Sequence, residues 1–122
     1  MNELAIYTNS DIVRGVMKRV EFLGDSLDQL KDFPEGARKE AGVQLHKVQL
    51  GFDPSDWKPM ATVGSGVREI RIRDPKGAFR VLYVAHIASA LYVLHAFQKK
   101  TQQTAKKDLD LAASRLKQIL EK

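Results

Sequence analysis

From residue 16 the chain alternates. Val16, Lys18, Val20 and Phe22 fall on one side of a short strand, Met17, Arg19, Glu21 and Leu23 on the other, and Gly24 closes it. The spacing turns helical at Leu27, Leu30 and Phe33, with Asp25-Ser26 as the expected cap and Pro34 as the stop. A second helix opens at Pro34-Glu35-Gly36, carries Ala37, Ala41, Leu45 and Val48 on one stripe, and ends at Gly51. The turn between these helices is very short, which predicts an antiparallel hairpin. The stretch GFDPSDWKPMATVGSG is rich in turn residues and reads as a long loop of the kind that often carries function.

Three strand signals follow. VREIRIRD places Val67, Glu69, Arg71 and Arg73 on one face and Arg68, Ile70 and Ile72 on the other. DPKG is a turn, and AFRVLYVAHI is an apolar strand interrupted by Arg80. SALYVLHAF is the third, and short turns between consecutive strands imply an antiparallel meander. Asp108, Leu109, Leu111, Ala112, Leu116, Ile119 and Leu120 outline an amphipathic C-terminal helix. The expected fold is α+β: a small antiparallel sheet of about four strands, an N-terminal helical hairpin and a C-terminal helix. One domain is expected over residues 16–122, preceded by an extension of residues 1–15.

The 122 residues suffice for one modest core. There is no cysteine, which excludes disulfides, thiolate metal sites and cysteine nucleophiles and fits a cytoplasmic location. No apolar run approaches a membrane span, and the first residues lack the basic-then-apolar order of a signal peptide. Charge changes the picture more. Net charge is +5, but residues 58–107 hold ten Lys/Arg against two acids, a local +8. Such a field suits a phosphate-bearing partner, or it is a basic soluble surface.

The basic half contains no Gly-rich phosphate loop, and its acids are Glu69 and Asp74 alone. His46, His86 and His95 lack zinc-ligand spacing, so no metal or other cofactor is expected. The remaining chemistry is cationic: Arg68, Arg71, Arg73, Arg80, Lys99 and Lys100, flanked by Lys58 and Lys76. Arg71 and Arg73 share a face, and Arg80 lies across the DPKG turn. An arginine within FRVLYV implies that this face is partly open. These residues either grip a phosphate and stabilise charge growing on it, or are solvated and paired with Glu69 and Asp74. His95 is a core-edge histidine or a general acid–base. Trp57 and Phe97 are core residues or platforms for a base.

The motifs E-I-R-I, F-R-V-L-Y and L-H-A-F-x-K-K-T, and a closing helix with A-x-x-R, resemble the phage-derived, HigB-like branch of the RelE/ParE toxin superfamily, over roughly residues 17–120. The resemblance implies a RelE-like fold and the toxin of a type II toxin–antitoxin system. It implies a cytoplasmic, ribosome-associated mRNA endonuclease acting by metal-free attack of the 2′-hydroxyl. ParE-like inhibition of DNA gyrase and an inactive phage-derived relic are the alternatives. The implied partners are the ribosome, mRNA and a cognate antitoxin, often a helix-turn-helix DNA-binding protein. By the same resemblance Arg80 matches the arginine that touches the scissile phosphate. Arg71, Arg73, Lys99 and Lys100 match the surrounding basic residues, and Arg68, Lys58 and Lys76 are expected RNA contacts. The catalytic tyrosine of RelE has no counterpart within residues 103–108, which leaves His95 or a lysine as the general base.

Overall fold

The computed structural model describes residues 17–121; the expected extension of residues 1–15 lies outside them. The elements are β1 (Arg19–Phe22), α1 (Ser26–Lys31), α2 (Glu35–Gln49), β2 (Trp57–Pro59), β3 (Arg68–Asp74), β4 (Gly77–Ile87), β5 (Ala90–Lys99) and α3 (Lys106–Leu120). The strands form one sheet in the order β1-β5-β4-β3-β2. β1 runs parallel to β5, and the other pairings are antiparallel.

The sheet therefore has five strands rather than about four, and it is mixed rather than antiparallel. The extra strand, β2, lies inside the segment read as a loop, where Trp57 pairs with Ile70 and Lys58 with Glu69. Three residues bounded by turn signals are too few for a periodicity to register. The same segment also sends Met60 and Val63 into the core under α3. Helices α1 and α2 carry the chain from one edge of the sheet to the other. The sheet, more than helix-to-helix packing, organises them: α1 lies mainly on β5 and α2 on β3.

Both faces of the sheet are covered, which is why β4 reads as a nearly unbroken apolar run. On one face Phe33, Ala37, Ala41 and Leu45 pack on Ile70, Ile72, Val81 and Leu91. On the other, Ala112 and Leu116 of α3 pack on Leu82, Val84 and Leu94. Truncating a residue such as Leu116 to alanine costs about 2–5 kcal/mol at a site of this kind. The stripe of α3 is narrower than its leucines suggested, for Leu120 is 62% exposed and Leu111 also faces solvent.

Local signals account for the ends. α2 stops at Gly51, with φ +91°; the Gly51 N–H bonds Val48 O at 3.0 Å and the Phe52 N–H bonds Lys47 O at 2.9 Å, the Schellman pattern. Asp25 does not cap α1 as expected. Its carboxylate accepts a 2.6 Å bond from Arg115 Nη2, which holds it below the ordinary aspartate pKa. Arg115, the arginine of A-x-x-R, also donates to Leu94 O at 2.9 Å. It ties α3 to β5 and to the start of α1.

Candidate functional site

The period of two sends Glu69, Arg71 and Arg73 of β3 to the α3 side of the sheet. Strand register then aligns their neighbours: Lys58 opposite Glu69, Arg80 opposite Arg71, Ala78 opposite Arg73, and Lys99 opposite Ala78. Directly opposed residues project from the same face. Lys58, Arg71, Arg73, Arg80 and Lys99 thus gather on four adjacent strands, spaced about 4.8 Å apart.

A carboxylate sits at the centre. Glu69 is 1% exposed and Arg80 9%. Glu69 Oε1 lies 3.5 Å from Arg80 Nε, and Glu69 Oε2 accepts a 2.7 Å bond from Thr104 Oγ1 in the segment linking β5 to α3. Arg80 Nη1 donates to Phe79 O at 3.0 Å. The face is partly open, as expected, but Arg80 itself is covered. It is buried beside Glu69, and of its companions Arg73 is exposed while Arg71 and Lys99 are half-buried. Burial pulls the Arg80 pKa below the ordinary arginine value; Arg71 and Arg73 push the same way, against Glu69 and Asp56. Lys99 is held below the ordinary lysine value by desolvation, then by Arg80, Lys58 and Arg71, with Glu69 opposing.

This arrangement stabilises negative charge. Several cations held around Glu69, with Asp56 4.0 Å from Arg71, are only partly neutralised, so a phosphate meets fixed positive charge that needs little rearrangement. Thr104 is the residue that sequence reasoning missed, whereas the sequence itself offers Glu69 as a partner of the arginines. The alternation already placed Glu69 beside Arg71 and Arg73. Its partnership with Thr104, far along the chain, had no local signal.

A second region flanks this face. β1 pairs with β5 only along Ala90–Val93, whereas β5 runs on to Lys99. Past the end of β1, the outer edge of β5 borders a cleft of about 660 Å³ between α1 and the first turn of α3. His95 lines it, 6% exposed, with Nε2 2.8 Å from Asp108 Oδ1 and its ring stacked on Phe97 at 4.8 Å. His95 Nδ1 is buried and has no hydrogen-bond partner among the described residues. Lys100 and Lys76 also line the cleft. The adjacent lysines therefore serve different regions: Lys99 joins the cationic face and Lys100 the edge cleft. A hollow of about 130 Å³ has both in its wall.

Arg68 is not brought to these cations. It projects from the opposite face, donates to Asp53 Oδ1 at 2.8 Å and lies 3.9 Å over the Trp57 ring. The bond to Asp53 raises its pKa. That pairing and stacking also give Trp57 its place, as a platform for an arginine of this chain.

Among the described residues no helix is long and apolar enough to cross a membrane. A family model described as "Phage derived protein Gp49-like (DUF891)" matches residues 28–117, from within α1 to within α3, and so takes in the whole cationic face. No curated protein matches the chain.

Proposed function

The chain belongs to the phage-derived Gp49-like family, a RelE/ParE-like toxin family, and on that premise we propose that it is the toxin of a type II toxin–antitoxin system, a ribosome-associated mRNA endonuclease of HigB-like type. The observation that carries this reading is the alignment of Arg71, Arg80 and Lys99 on adjacent strands around the buried Glu69.

In the proposed reaction the 2′-hydroxyl oxygen attacks the neighbouring phosphorus, and the bond from phosphorus to the 5′-oxygen breaks. The products are a 2′,3′-cyclic phosphate and a 5′-hydroxyl end. Arg80 and Arg71 hold the non-bridging oxygens, where a fork of N–H donors suits a phosphate. Arg73 and Lys58 guide the flanking backbone. Lys99 handles protons, because its lowered pKa makes the neutral amine more accessible than in a solvated lysine. Lys100 and Lys76 stand at the edge of the same path. A cognate antitoxin, of the helix-turn-helix kind, neutralises the protein by covering the cationic face.

The test is to induce the protein alone in a bacterial host, map new mRNA 5′ ends and follow growth, beside Arg80→Ala and Arg80→Lys. Growth arrest with new 5′ ends, lost in Arg80→Ala, supports the reading. Intact mRNA with a DNA-damage response points to gyrase instead, and normal growth points to an inactive relic. Co-expression of the neighbouring small gene should restore growth.

A further inference from the structure

We propose that the cleft on the outer edge of β5 receives a nucleobase of the RNA cut on the adjoining face, and that His95 reads it. The proposal rests on the endonuclease reading above. The two regions are close enough. Strands lie about 4.8 Å apart, so the outer side of β5 is roughly 10 Å from Arg80, a step of one or two extended nucleotides. The hollow with Lys99 of the cationic face in its wall shares Phe97, Gln98, Lys100, Lys107 and Asp108 with the cleft.

The lining matches a flat ligand with polar edges and a charged tether. Phe33 and Phe97 supply aromatic wall, and Gln29 and Gln98 supply amides. Lys100 and Lys107 stand at the rim, and neither forms an ion pair among the described residues. The carboxylates there are mostly engaged, Asp25 by Arg115 and Asp108 by His95, which leaves Asp32. An inorganic anion alone leaves the aromatic wall uncovered. An apolar peptide leaves His95 Nδ1 unsatisfied, and an unsatisfied buried polar atom is costly.

The tautomer gives the specificity. With the ring neutral and its Nε2 hydrogen donated to Asp108, Nδ1 of His95 is an acceptor. It calls for a donor on the ligand. An exocyclic amino group, carried by adenine, cytosine and guanine, supplies one at the edge of the base; the one donor of uracil, N3–H, lies between two carbonyl oxygens, which the lone pair of Nδ1 repels.

The experiment measures binding of uncleavable 2′-O-methyl RNA pentamers, with each base in turn at each position, to wild type, Gln29→Trp and Arg80→Lys by fluorescence anisotropy. Melting temperatures confirm that the variants fold. Wild type should show one position where uracil binds about fivefold or more weakly than adenine or cytosine, the effect of one hydrogen bond. Gln29→Trp, which fills the cleft mouth from an exposed helix position, should erase that preference yet keep salt-dependent binding. Arg80→Lys should weaken all pentamers alike and keep the preference. Equal binding of all bases, or a preference unchanged in Gln29→Trp, overturns the proposal and leaves the endonuclease reading standing. A wild type that binds no pentamer, alone or with ribosomes, sinks both. If Gln29→Trp abolishes antitoxin binding with RNA preference intact, the cleft belongs to a protein and the proposal fails.

Discussion

The cationic face and the edge cleft lie on either side of one strand, and they solve opposite problems. The face must hold like charges together. It does so with a buried carboxylate at its centre, braced by Thr104 from the linker. The cleft must keep a polar histidine among aromatic rings. There the carboxylate of Asp108 engages one ring nitrogen, and the other has no partner among the described residues. In both regions an acid sets the geometry of a base. In the face, removing the acid exposes charge repulsion; in the cleft, it frees a ring to turn.

The sharpest way to break this comparison is Glu69→Ala. Truncating one member of a buried ion pair costs roughly 3–5 kcal/mol, because the other charge stays buried and uncompensated. Urea unfolding should show that loss, and a change near zero would mean that Arg80 does not depend on Glu69. Arg80→Ala works from the other side. Removing one preorganised donor to a developing anion costs about 10²–10³ in rate, and here it should also lower the melting temperature, because Glu69 is left behind. Inactivity with unchanged stability would show the ion pair to be idle.

Asp108→Ala tests the cleft. Losing a bond between histidine and a charged acceptor should cost about 1.5–3 kcal/mol and disturb base preference, while leaving the salt dependence of RNA binding unchanged. If it flattens the salt dependence instead, the two regions are not separable.

The smallest effect belongs to Lys99. Desolvation and the cations Arg80, Lys58 and Arg71 depress its folded pKa below the ordinary lysine value of 10.5, so over the interval between the two the unfolded chain binds more protons. Stability therefore rises with pH across that interval, by a few tenths of a kcal/mol once screening by solvent is allowed for. Lys99→Gln should remove the rise. A slope that persists in the variant would assign it to another group.

Much of this was legible in the residues themselves. The alternation in VREIRIRD, the DPKG turn and the stripe of α2 follow from backbone periods, and each appears where expected. The same period of two puts Arg71 and Arg73 on one face and turns Arg68 away. It also bore on Lys99 and Lys100, whose neighbouring positions set them toward different sides, although the shared charge made them look like one device.

Tertiary structure alone decided the rest. β1 lies parallel to β5 although two helices and three strands separate them along the chain, and no turn length specifies which edge the first strand joins. Arg80 is buried beside Glu69, which reaches it diagonally from β3, and the linker brings Thr104 to that carboxylate. Periodicity reports which side of a strand a residue takes. What waits on that side depends on contacts between residues distant in the chain, and those form only when the sheet and its covering layers close together.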